Sequence, residues 1–168
     1  MWQYEGIAIA WLGHDSFRIQ KGKVIYIDPY QLAGSPAKGD LVLITHDHFD
    51  HLSETDMQHV LGPQTVIIAP PPCHGQLKGL PTKELRRIEA GQKTQVGDIE
   101  VEAIPAYNVD KFRSPGNPFH PKGTGVGYIV TIDGKRIYHA GDSDHIPEMA
   151  TAKGVDVALL PVSGTYVM

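Results

Sequence analysis

Thr45-His46-Asp47-His48-Phe49-Asp50-His51 follows directly on the apolar run Leu41-Val42-Leu43-Ile44. A continuous run of that length reads as a strand buried on both faces. The residues just past its end stay extended, and in an extended chain residues two apart point the same way. His46 and His48 are therefore placed to bind one metal ion together. Asp50 and His51 lie where the chain turns away, and can be aimed at a second metal a few ångströms off. Imidazole and carboxylate donors suit zinc, and also manganese or iron. A lone histidine here would read as a helix cap or a solvent-facing side chain. Four candidate ligands in six positions, His46, His48, Asp50 and His51, read as a metal site.

Upstream lie three short segments rich in β-branched and aromatic residues, Ile7 to Trp11, Ser16 to Ile19 and Val24 to Ile27. Gly13-His14-Asp15 and Gln20-Lys21-Gly22-Lys23 separate them as turns, and Asp28-Pro29 closes the third strand. Downstream, Ser53-Glu54-Thr55-Asp56 is a capping-box pattern that starts a short helix running to about His59. Thr65 to Ala69 is another apolar strand, stopped by Pro70-Pro71-Pro72, with a weakly signalled helix near Cys73 to Leu77. Arg86 to Glu89, Gln92 to Val96 and Ile99 to Ile104 read as antiparallel strands. Pro105 to Thr124 reads as a long ordered loop, and such loops are often functional. Gly125 to Ile132 and Lys135 to His139 form a hairpin across Asp133-Gly134. Ile146 to Lys153 reads as a helix with Pro147 in its first turn, and Val155 to Leu160 as a last strand. The pattern of strands at the start roughly recurs after Gly97. These elements predict an α/β (α+β) mixed sandwich with helices on the outside.

With 168 residues, 41% of them hydrophobic, the chain suffices for one domain with a proper core. A net charge of -4 gives no hint of a nucleic-acid surface. It does not exclude an anionic substrate, because a bound metal can reverse the local field. The one cysteine, Cys73, excludes an internal disulfide and fits the cytoplasm. The first residues, Met1 to Glu5, do not read as a signal peptide, and no stretch approaches the length expected of a bilayer span.

The string Thr45-His46-Asp47-His48-Phe49-Asp50-His51 resembles the signature of the metallo-β-lactamase superfamily. Tyr138-His139-Ala140-Gly141-Asp142-Ser143-Asp144 resembles that family's strand-end Gly-Asp motif. Trp11-Leu12-Gly13-His14-Asp15-Ser16-Phe17, Pro105-Ala106-Tyr107-Asn108 and Val155 to Pro161 are similar to the branch that contains ascorbate-6-phosphate lactonase and many bacterial and archaeal hydrolases. The resemblance covers nearly the whole chain and is sharpest at the two metal motifs. It implies a four-layer αββα sandwich spanning residues 1–168, and two divalent metals, most simply Zn2+ with Mn2+ or Fe2+ as alternatives. It also implies Asp142 as the ligand shared by both metals.

Two departures from the family stand out. The family's third histidine on the first metal often follows a Pro-Ala-aromatic segment, and Asn108 holds that position here. His120, on the same long loop, is the nearest replacement; a substrate contact or a surface histidine is the alternative. The family also continues past the strand at Val155 to Leu160 to a final histidine. This sequence stops at Met168 without it, which suggests a truncated chain with one ligand missing and an uncovered sheet edge able to pair with another copy.

Two metals about 3.5–4 Å apart can lower the pKa of a shared water enough to give hydroxide near neutral pH. The expected activity is hydrolysis of an ester, lactone or phosphodiester in a small anionic substrate. Asp50 would orient or deprotonate the nucleophile. His14, Asn108 and Lys122 are candidate substrate contacts. His139 is read as core or as support for a ligand, and Asp144 and His145 as a turn and cap. The expected partner is a small molecule, without nucleic acid or membrane, in a monomer or homo-oligomer. The competing expectation is a metal-binding structural or sensing module without turnover.

Overall fold

The computed structural model describes residues 1–162. They fall into two compact units, Met1–Arg87 and Ile88 onward. The expectation about the chain's end at Met168 lies outside the described residues.

The first unit is a seven-stranded sheet in simple chain order. Strands β1 (Trp2–Tyr4), β2 (Ile7–Gly13), β3 (Ser16–Lys21) and β4 (Lys23–Ile27) form an antiparallel meander. Next come β5 (Leu41–Leu43), helix α1 (Glu54–Val60) and β6 (Val66–Ala69). A 3-10 turn (Pro71–Cys73), helix α2 (His74–Leu77) and β7 (Glu84–Arg87) complete the unit. From β4 to β7 the pairing is parallel. A parallel neighbour requires the chain to cross back to the starting end. The stretch containing α1 does this between β5 and β6, and α2 with its 3-10 turn does it between β6 and β7. That crossover corrects the expectation of an antiparallel strand at Arg86 to Glu89. Strand β1 was not expected; it pairs Trp2 with Ile9 and stacks its own Trp2 and Tyr4 rings, 5.8 Å apart.

Helix α1 starts at Ser53, whose side chain accepts the Asp56 N–H. Its inner face carries Met57 and Val60 into a cluster with Tyr26, Val42, Ile44 and Ile67. Asp56 also accepts the N–H groups of Gln31 (3.0 Å) and Leu32 (2.8 Å), which ties the β4–β5 loop to the helix.

The second unit is a five-stranded sheet in the order β14-β13-β12-β9-β8, with a separate small hairpin. It contains β8 (Lys93–Val96), β9 (Ile99–Ala106), β10 (Phe112–Ser114) and β11 (Asn117–Pro118). It closes with β12 (Gly125–Ile132), β13 (Lys135–His139) and β14 (Val157–Leu159). Asp133 (φ 48°) and Gly134 (φ 75°) turn β12 into β13 as a tight hairpin requires. The expected long loop is shorter than anticipated, because β9 runs on to Ala106 and β10 pairs with β11 inside it. The expected helix at Ile146 to Lys153 is a 3-10 turn, Pro147–Ala152, with the Met149 N–H bonded to the Ile146 carbonyl. Met149, Ala152 and Val155 cover Ile104, Ile129 and Tyr138 of the sheet. Among the described residues no helix is long and apolar enough to cross a membrane.

Gly127 sits where no side chain fits. A Cβ there would lie 2.7 Å from the His139 carbonyl oxygen and 2.8 Å from that of Ala140. Gly127→Ala therefore should lower stability by about 1–3 kcal/mol, since backbone must move to admit it. Gly75 in α2 has nothing within 4 Å of such an atom, so Gly75→Ala should be neutral or stabilise by up to about 1 kcal/mol. Urea unfolding of the two variants measures the contrast.

Candidate metal centre

The first unit's ligand loop is organised from below by Asp28. This residue directly follows β4, is fully buried, and holds a left-handed backbone (φ 45°) just before Pro29. A non-glycine residue there is strained and persists only where its surroundings impose it. The Asp28 carboxylate accepts the Thr45 N–H at 2.8 Å and the Thr45 hydroxyl at 2.5 Å. It also lies 2.8 Å from Nδ1 of His51. Asp15 adds a second carboxylate 4.0 Å from that nitrogen.

These bonds fix tautomers. His51 donates its Nδ1 proton to Asp28, which puts the ring's lone pair on Nε2. The Thr45 hydroxyl spends its proton on Asp28, so at 3.0 Å from His46 Nδ1 its oxygen is the acceptor. His46 therefore also carries its lone pair on Nε2. A carboxylate or hydroxyl behind the distal nitrogen is the usual support of a metal-bound histidine. The His46 ring centroid lies 4.6 Å from that of His48 and 4.0 Å from that of His51.

The loop itself is a tight turn, with the N–H groups of His51 and Leu52 both bonded to the His48 carbonyl. The turn sends Asp50 toward His14, whose Nε2 is 3.1 Å from the Asp50 carboxylate. His14, Asp50 and His51 each offer a donor atom within 4.8 Å of the others. His14 holds φ 50° in the β2–β3 turn, where the Trp11 indole N–H donates to its carbonyl at 2.7 Å. Phe49, between two ligand-type residues, is 75% exposed, and its ring meets Tyr30 edge-on at 6.3 Å.

The second unit brings His120 and Asp142 together. His120 Nε2 lies 3.4 Å from a carboxylate oxygen of Asp142, and both residues are buried. Asn108 is bound to His120 at three points. Its Oδ1 accepts the His120 backbone N–H (3.0 Å) and the His120 Nδ1 proton (2.7 Å), and its own N–H donates to the His120 carbonyl (2.9 Å). The amide oxygen is thereby committed to orienting His120. With Nδ1 bound to Asn108, the His120 ring turns Nε2 toward a carboxylate oxygen of Asp142. A divalent cation would be received by that nitrogen and that oxygen together. The donor chemistry of both units therefore fits divalent metal ions.

The remaining candidates fall in three different settings. Lys122 is paired with Glu148 at 2.7 Å and sits over the Tyr107 ring, 4.8 Å from its centroid. The Glu148 hydrogen bond raises the Lys122 ammonium above its ordinary value, and the same bond lowers the Glu148 carboxyl. His139 is fully buried, and its Nδ1 accepts the Gly141 N–H at 3.2 Å, beside Asp142. Asp144 is far more than a turn residue: it is buried and accepts the N–H groups of Val109 (2.7 Å) and Asp110 (3.0 Å) and the Lys111 ammonium (2.5 Å). Burial alone would raise its carboxyl, but these three donors outweigh that and hold it at about 2. Sequence reasoning passed over Asp28 as a strand terminator, although a carboxylate before proline at the end of an apolar strand was there to be noticed.

Replacing Asp28 tests the anchor. Asp28→Ala removes the acceptor shared by two Thr45 donors and a buried histidine N–H, at a cost of about 2–5 kcal/mol. Urea unfolding of metal-free protein measures it, and a cost below about 1 kcal/mol would show that the loop is held elsewhere.

Residues 8–168 match the family model described as the β-lactamase superfamily domain. The chain is 32% identical over 164 residues to a UPF0173 metal-dependent hydrolase of Methanoculleus marisnigri, covering 95% of this chain and 70% of that protein. A UPF0173 metal-dependent hydrolase of Methanoregula boonei is 35% identical over 165 residues, covering 95% and 71%. Among solved structures, one from Parabacteroides distasonis, assigned to the metal-dependent hydrolases, is 34% identical with a TM-score of 0.84, covering 96% of this chain and 72% of that one. Igni18, a metallo hydrolase from Ignicoccus hospitalis, is 26% identical with a TM-score of 0.71, covering 96% and 73%. The fold is accordingly the metallo-β-lactamase α/β fold, and the chain belongs to the β-lactamase superfamily and, within it, to the UPF0173 metal-dependent hydrolases.

Proposed function

We propose that this chain is a dinuclear metal-dependent hydrolase of a small anionic ester, lactone or phosphodiester. His46, His48, Asp50, His51, His120 and Asp142 hold the two metals in this reading, with zinc the first choice and manganese or iron the alternatives. One observation carries it. His46, His51 and His120 each have Nδ1 hydrogen-bonded to a fixed neighbour, which leaves Nε2 as the nitrogen able to meet a metal. Three buried histidines each anchored through Nδ1 are costly to arrange for packing alone. Family membership supports the same conclusion.

Metals bound there would supply Lewis acidity and a water of lowered pKa. The chain's own residues do the rest. Asp50 stands at the solvent side of the loop, 3.1 Å from His14. We assign it the proton from the attacking water, with His14 as the next acceptor toward solvent. Asn108 holds His120, and Lys122 is engaged by Glu148, so a substrate anion would meet Lys122 only in competition with that carboxylate.

The test is turnover of a panel of lactones, carboxylic esters and aryl phosphodiesters by protein loaded with Zn2+ or Mn2+. Asp50→Ala should lower kcat by about 10²–10⁴-fold on whichever substrate is turned over. His14→Ala should lower kcat by less. Unchanged turnover by Asp50→Ala would sink the hydrolase reading. A metal-loaded wild type that turns over none of the panel would favour a binding module.

A further inference from the structure

The His120 arm of the second unit is a closed hairpin. Its two strands meet through Asn108 with His120 and through the Phe119 N–H bonded to the Lys111 carbonyl at 3.2 Å. Beyond that lies the small β10–β11 pair. His120 therefore sits at the root of the hairpin, and its position depends on what holds the root.

Two carboxylates hold it, both from the segment that continues Asp142. Asp144 receives three donors from one side of the root, the N–H groups of Val109 and Asp110 and the ammonium of Lys111. Its own N–H returns a bond to the Tyr107 carbonyl at 3.0 Å, and the Tyr107 N–H donates to Ser143 Oγ at 3.2 Å. Glu148 takes the other side. It accepts the Tyr107 hydroxyl at 3.0 Å and the Lys122 ammonium at 2.7 Å, two residues past His120. His120 lies in chain between the two attachments, and Asp142 lies two residues before Asp144.

We propose that Asp144 and Glu148 are positioning residues that clamp the His120 hairpin to the Asp142 segment and so set His120 Nε2 against the Asp142 carboxylate. This rests on the reading of His120 as a metal ligand. Asp144 is the stronger clamp, because it is buried and takes backbone N–H groups, whereas Lys122 and Glu148 meet at the surface and are screened by solvent. Charge-assisted bonds to adjacent N–H groups fix a loop in register, and a ligand displaced by a fraction of an ångström binds its metal less well.

The experiment is titration of the metal-free protein with Co2+ against a competing chelator, with the visible Co2+ spectrum recorded at each step. Asp144→Ala should weaken one of the two metal equivalents by about 10–100-fold and alter its spectrum, leaving the other equivalent unchanged. Asp144→Asn, which keeps one acceptor, should fall in between. In a His120→Ala background, Asp144→Ala should add nothing, because its effect runs through that ring. Should Asp144→Ala fail to fold, Glu148→Gln and Lys111→Met should each weaken the same equivalent by a smaller factor. Unchanged affinities and spectra in Asp144→Ala, or in both milder variants, would overturn the clamp while leaving His120 a ligand. An equal loss in the His120→Ala background would overturn it too. If His120→Ala itself leaves both equivalents unchanged, the ligand assignment fails and the clamp falls with it.

Discussion

One buried carboxylate, Asp28, sets the chemistry of the first unit. It takes both donors of Thr45 and the Nδ1 proton of His51. With the Thr45 hydroxyl turned toward Asp28, His46 has only one tautomer that satisfies both neighbours. A single anion thus decides where two histidines keep their lone pairs. The left-handed backbone at Asp28 is the cost of aiming that carboxylate upward from the end of β4. Strain of that kind is tolerable because Ile25, Tyr26 and Ile27 are fixed by complete burial directly before it.

The second unit reaches the same end with different parts. An amide replaces the carboxylate: Asn108 takes the Nδ1 proton of His120 and holds its backbone as well. The position that reads as a lost ligand in the sequence is thereby a support for His120, the proposed ligand twelve residues on. The cost moves to the hairpin, which must be held by charges on the Asp142 segment. Asp144 and Glu148 meet that need, with Lys111 and Lys122 as their counter-ions.

Much of this was legible in the sequence, and the limits have physical causes. The apolar run ending in His46-Asp47-His48-Phe49-Asp50-His51 announces its own strand and turn, because the strand is continuous and the donors are close in sequence. Ser53 and Asp133-Gly134 likewise carry local rules that tertiary contacts did not override. The direction of β7 was not legible, because it depends on a crossover whose helix is only four residues long. The 3-10 turn after Ile146 was misread because Pro147 permits either helix type. Asp28, Asn108 and Asp144 were undervalued for one shared reason. Each acts across 12 to 35 residues of chain, and pattern reading sees only neighbours.

Metal content per chain, by elemental analysis of protein purified without added metal or chelator, tests the central claim most directly. The account predicts about two equivalents of zinc, manganese or iron, falling in the variants His46→Ala and Asp142→Ala. A chain that carries no metal and acquires none on incubation with Zn2+ or Mn2+ would contradict it.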